Sequence, residues 1–148
     1  MKFLTCITVI LLTVSPALAA GPGGVLGFWK TAGGDSLLEL SRCGDKICGN
    51  IVWLKVPNYI DPVDGPVGRT KVDRKNPDPA LRKQPILGLQ VMKGFTAVGN
   101  RRWTNGTSYN PETGKSYKSK MYLTATDRLE LRGFIGISLI GRTLVMTR

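Results

Sequence analysis

Apolar and polar residues alternate along the chain in short bursts, and the bursts are punctuated by glycine, proline, asparagine and aspartate. Residues 25–31 read as a first strand, closed by the turn Ala32-Gly33-Gly34-Asp35. Residues 37–43 and 48–54 form a hairpin around Gly44-Asp45-Lys46. Placing Cys43 opposite Cys48 sets Leu40 opposite Ile51 and Leu38 opposite Trp53 on one face, with Glu39, Val52, Ser41 and Asn50 on the other. The pair then has one apolar and one mostly polar side, as a half-buried antiparallel pair requires, with the cysteines on the outer side. Residues 86–95 resume as a strand, with Leu87, Leu89 and Val91 on one side.

Residues 101–109 and 115–123 make a second hairpin. Asn110 suits the first position of a type I turn, Pro111 presets φ for the second, and Gly114 supplies the left-handed residue of a bulged loop. This loop pairs Tyr109 with Ser116 and Trp103 with Tyr122, which sorts Tyr117, Ser119, Met121 and Leu123 to the interior and Lys118, Lys120 and Tyr122 to the outside. Residues 129–135 and 142–148 supply two last strands, separated by the connection 136–141. About eight strands joined mostly by short turns, without an amphipathic helix, predict an all-β, antiparallel up-and-down barrel of residues 21–148, with a two-sheet sandwich as the alternative. The pattern fails only over residues 56–85, where prolines at 57, 62, 66, 77, 79 and 85 exclude a long helix or strand. A break of this length in a compact domain is a binding loop or lid, or else a wrapped or partly disordered surface crossing.

The N-terminus changes the compartment. Lys2, an apolar run from Phe3 to Val14 and the small-residue pattern Ala17-Leu18-Ala19 make residues 1–20 a secretory signal peptide cut near Ala19 or Ala20. The run is shorter than the roughly 20 residues a bilayer core requires, so no transmembrane anchor is expected. The mature protein is then exported, periplasmic or extracellular, and retains Cys43 and Cys48, which an oxidising compartment joins as a disulfide. With no histidine in the chain, two cysteines do not make a metal site, and no cofactor is expected.

The full chain carries 21 basic and 10 acidic residues. Such an excess bears on partners and solubility rather than fold. For an exported protein it favours an anionic envelope component over nucleic acid.

Several motifs occur in one order: Gly-Phe-Trp-Lys-Thr at 27–31, Cys-Gly-x-x-x-Cys-Gly at 43–49, Asn-Pro-Asp-Pro-x-Leu-Arg at 76–82 and Pro-Ile-Leu-Gly at 85–88. Tyr-Asn-Pro-Glu-Thr-Gly-Lys-x-Tyr at 109–117, Leu-x-Leu-Arg-Gly-Phe-Ile-Gly at 129–136 and Gly-Arg-Thr at 141–143 follow. This series resembles the exported bacterial family catalogued as domain of unknown function 2147, over essentially the whole mature chain. Met146 departs from it, standing where the family pattern has an aromatic residue. The resemblance implies a lipocalin-like barrel and assigns no activity. Gly27-Phe28-Trp29 also looks like the lipocalin glycine-x-tryptophan signature, which implies that Trp29 closes the barrel base against a late arginine, Arg142 or Arg148.

Function is expected to be binding. A barrel of this size holds one small apolar or amphiphilic molecule, with Leu38, Leu40, Trp53, Leu89, Tyr117, Met121 and Leu131 as candidate lining and Arg82 and Lys83 meeting an anionic head. The alternative lining role for every one of these apolar residues is barrel core. A second reading places a polyanion such as polysaccharide or phospholipid on the outer basic and aromatic row of Arg101, Arg102, Trp103, Lys118, Lys120 and Tyr122. Catalysis is the weakest reading: no histidine is available as a base, and Asp61, Asp64 and Asp73 sit in turn-forming contexts.

Overall fold

The computed structural model describes residues 24–137 and 141–148. The predicted signal peptide and the centre of the 136–141 connection lie outside the described residues. Eight antiparallel strands close into a barrel in chain order. They are β1 (Gly27–Thr31), β2 (Ser36–Cys43), β3 (Lys46–Leu54), β4 (Gln90–Ala97), β5 (Arg102–Asn110), β6 (Lys115–Ala125), β7 (Arg128–Phe134) and β8 (Gly141–Thr147). The up-and-down barrel predicted from the pattern is therefore the fold, and the sandwich is not.

Two hairpin registers differ from expectation. Gly44, at φ 66, opens a two-residue turn with Asp45, so Cys43 pairs with Lys46, Ser41 with Cys48 and Leu38 with Ile51. The Cys43–Cys48 disulfide forms, but diagonally across the pair rather than between opposed residues. A bulge between Leu37 and Leu38 then sets Trp53 opposite Leu37, on the outer face and 44% exposed, while Leu54 packs against the core in its place. In the second hairpin Tyr109 pairs with Ser116 as predicted. Asn105, at φ 59, bulges β5, so Trp103 turns inward opposite Met121 and Arg102 takes the position facing Tyr122.

Much of the barrel interior is filled by side chains. Trp29, Phe95, Met92, Leu129, Met121 and Met146 are completely or almost completely buried. Gly106 has no side chain because the Phe95 ring fills the space a Cβ would need. Arg148 stacks on Trp29 with its guanidinium carbon 3.9 Å from the ring centroid and donates to the Gly24 carbonyl, while the indole N–H donates to Val25 O at 2.7 Å. Arg142, the other candidate for that position, lies well along β8 opposite Gly133.

The long break between β3 and β4 is folded. Isolated bridges join Asn58 to Thr70 and Val72 to Pro85, and a short 3-10 turn spans Pro79–Leu81. Tyr59 is the centre of its first half: its hydroxyl accepts from Val72 N at 3.1 Å, its ring packs on Gly65, and Arg74 approaches the ring at 5.8 Å. Its second half is tied to the barrel through Asp73, and the carbonyl of Lys75 lies against Gly114 at the tip of the β5–β6 hairpin.

Candidate functional site

Solvent reaches two surfaces near one end of the barrel, one on the inward face of β8 and one in a cleft outside the wall. The inner one is defined by alternation. Met146 pairs with Leu129, Leu144 with Leu131 and Arg142 with Gly133, so these three β8 side chains share the interior face with the buried leucines of β7. Along that row exposure rises from 0% at Met146 to 40% at Leu144, and Arg142 is exposed. Solvent therefore reaches Leu144, an inward-facing leucine two residues along β8 from the buried Met146.

The rung of Leu144 continues through Leu131 to the buried Met121, and the next rung, from Arg142 through Gly133, reaches Ser119 on β6. The Ser108 and Ser119 hydroxyls lie 2.6 Å apart, Ser119 also bonds the Tyr117 carbonyl at 3.2 Å, and Gly133 lies against Tyr117. Small residues and the half-buried Tyr117 therefore gather on the inward face of β5–β7, with the buried Met92 standing opposite Ser108. The seam adds access: β1 pairs with β8 only through Lys30 and Thr31, opposite Thr147 and Met146, so residues 141–145 have no described partner on that side.

The outer surface is a cleft of about 660 Å³. Thr107, Tyr109 and Ser116 point outward, alternating with the inward Ser108 and Tyr117, and form its floor with Lys93. The excursion before β4 forms its rim through Asp73, Asn76, Leu81, Gln84 and Leu87. The excursion thus lies against the outside of the β3–β6 wall over residues 73–89.

Asp73 fixes this rim. It is fully buried, one carboxylate oxygen accepts from Tyr109 Oη at 2.7 Å, and the other accepts from Asn76 Nδ2 at 2.7 Å. Burial, then the hydrogen bond to Asp73, then the charge of Asp73 hold the Tyr109 phenol well above its ordinary pKa. A carboxylate bonded by two neutral donors anchors a loop; its oxygens are already engaged in that role.

The sequence-predicted lining residues separate into three groups. Leu38, Leu40, Met121 and Leu131 lie inside and are buried, and Tyr117 joins their face at the mouth. Trp53 is outside the barrel. Leu89 lines the outer cleft, and Arg82 and Lys83 are exposed on the excursion. Arg82 is occupied, its Nε donating to Asn76 O at 2.7 Å. Of the outer basic row, Trp103 is buried inside, and Arg101 donates to the Leu123 carbonyl at 2.8 Å.

Sequence reasoning passed over Asp73 as a turn former and did not put Leu144 or Arg142 at the mouth. Asp73 had no local signal, because its partner Tyr109 is 36 residues away. Leu144 was readable in principle, since Met146, Leu144 and Arg142 stand at strand spacing.

Among the described residues no helix is long and apolar enough to cross a membrane. No curated protein matches the chain. Among solved structures it is similar to a protein from the human pathogen Helicobacter pylori described as belonging to the lipocalin family. The two share 23% sequence identity over 83% of this chain and 81% of that one, with a TM-score of 0.68, which is a likeness of fold. Residues 27–148 match the family described as an uncharacterized protein conserved in bacteria, domain of unknown function 2147, and the chain belongs to that family.

Proposed function

We propose that this is an exported, lipocalin-like binding protein that holds a small amphiphilic molecule in the mouth half of its barrel. The apolar part would lie against Leu131 and Leu144, and a polar or anionic head would meet Arg142, whose planar guanidinium suits a carboxylate. The observation that carries this reading is the exposure gradient on β8: an inward-facing Leu144 at 40% sits directly above Met146 at 0%. An apolar surface inside a concave wall, bordered by a few polar groups, is the usual chemistry of a small-ligand site. The leader-like N-terminus and the Cys43–Cys48 disulfide support export.

Native mass spectrometry of the protein purified from its own cell envelope, followed by solvent extraction, tests the proposal. It should reveal a co-purifying lipid-like molecule, displaced when Leu144 is enlarged by Leu144→Trp. A barrel that carries no such molecule and binds no hydrophobic probe would overturn it.

One observation favours a second reading, a surface that binds envelope polyanions. Lys120 stands directly opposite Arg132 on the outer wall, with Lys118 next along β6. Several cationic side chains gathered on one face attract a polyanion through their summed field. Salt-sensitive retention on an anionic polysaccharide column, lost in Lys118→Gln/Lys120→Gln, is the result this reading requires.

A further inference from the structure

We infer that the outer cleft between the excursion and the β4–β6 wall is a second binding site, for a neutral hydroxyl-bearing ligand of the saccharide class. This site is independent of the barrel interior: its floor residues Thr107, Tyr109 and Ser116 alternate with the inward-facing Ser108 and Tyr117. At about 660 Å³ the cleft has the size of a small-molecule site.

The chemistry of the lining selects the ligand. Gln84, Gln90, Thr107 and Ser116 all border the cleft, and none of their side chains makes a hydrogen bond among the described residues. Carboxamides and hydroxyls both donate and accept, which matches the paired donor and acceptor capacity of sugar hydroxyls. Leu81 and Leu87, both exposed, supply apolar surface for the C–H faces of a sugar ring.

Charge argues for neutrality. Charged groups in the lining itself are few: Asp73 is fully buried with one oxygen bonded to Tyr109 and the other to Asn76, and Lys93 is the lining's single basic residue, so the cleft presents neither a paired cation clamp for an anion nor an open carboxylate for a cation. A peptide fits less well. The floor strands β3, β4, β5 and β6 are hydrogen-bonded to each other, so the cleft offers no free strand edge to which an extended chain could add.

The rim is held in place before any ligand arrives. Asp73 bonds both Tyr109 and Asn76, and the Lys75 carbonyl packs on Gly114, so the wall bearing Gln84 is tied to the barrel at two points. Preorganisation of this kind reduces the ordering cost of binding.

The test is a titration of the isotope-labelled full mature chain with chitotriose, maltotriose and cellotriose, followed by backbone amide NMR, with a trigalacturonate and a proline-rich peptide in parallel. At least one neutral trisaccharide should shift the amides of Lys93, Thr107 and Ser116 saturably. Its affinity should fall about tenfold or more in Gln84→Ala/Gln90→Ala, whose side chains are exposed and carry no hydrogen bond among the described residues, so folding is spared. Binding of laurate in the barrel should be unchanged in that variant, which separates the two sites. Absence of cleft shifts with all three neutral sugars, or shifts with the trigalacturonate or the peptide alone, would overturn the inference.

Discussion

The Tyr109 hydroxyl donates a 2.7 Å hydrogen bond to Asp73, fastening the excursion between β3 and β4 to the outer face of β5. Asp73 is fully buried, so Tyr109→Phe leaves it with Asn76 as its remaining side-chain donor. Loss of a hydrogen bond to a buried charge costs about 1.5–3 kcal/mol. Urea unfolding should show that loss, and hydrogen exchange should quicken at the amides of Asp73 and Asn76, which bond Gln84 O and Asp73 O.

The same bond predicts an alkaline limit. The folded-state pKa of Tyr109 is raised above its unfolded value, first by burial and then by the Asp73 hydrogen bond and charge. Its contribution to stability is therefore complete below about pH 10, the ordinary value for tyrosine, and is lost as pH rises through the higher folded value. Urea midpoints measured across this range should fall more steeply for the wild type than for Tyr109→Phe.

Gly114 and Gly44 both sit at positive φ, at 70 and 66 degrees, yet they should respond differently to alanine. At Gly44 a Cβ meets nothing, so Gly44→Ala costs only the left-handed backbone, about 1–2 kcal/mol. At Gly114 a Cβ would collide with the Lys75 carbonyl, which is backbone and cannot rotate away. Gly114→Ala should therefore destabilise more than Gly44→Ala and also release residues 73–77 from the hairpin tip, read as faster exchange confined to that segment.

At the base, Arg148 covers Trp29 at 3.9 Å and donates to the Gly24 carbonyl. Arg148→Ala should cost about 1 kcal/mol in thermal or urea unfolding and alter the Trp29 environment seen in near-ultraviolet circular dichroism. Arg148→Lys should recover only part of this, because an ammonium stacks less well than a planar guanidinium.

Local chemistry made the barrel readable, and its limits explain the errors. The β5–β6 register was legible near its turn because Asn110 accepts from Glu112 N at 2.8 Å through its side chain and from Gly114 N at 2.8 Å through its carbonyl. It was lost farther along, where Asn105 bulges the strand; the dipeptide Asn105-Gly106 is only a weak signal of this. Two cysteines five residues apart suggested an opposed pair, yet the Gly44-Asp45 turn fixes the register and the disulfide follows diagonally.

The site was less legible for a different reason. Which leucine lies deep and which meets solvent depends on closure of β8 against β7 and its short seam with β1, and these are contacts between distant segments. The pairing of Asp73 with Tyr109 is likewise nonlocal, so the aspartate looked like one more turn residue among prolines.

The central claim is that the mouth half of the barrel, and not its base, receives an apolar ligand. Methyl NMR of selectively labelled leucine and methionine during titration with laurate tests it most directly. The account predicts saturable shifts at Leu144 and Leu131, with the Met146 and Leu129 methyls scarcely moving. No shift at Leu144 and Leu131, or shifts confined to Leu81 and Leu87 on the excursion, would contradict it.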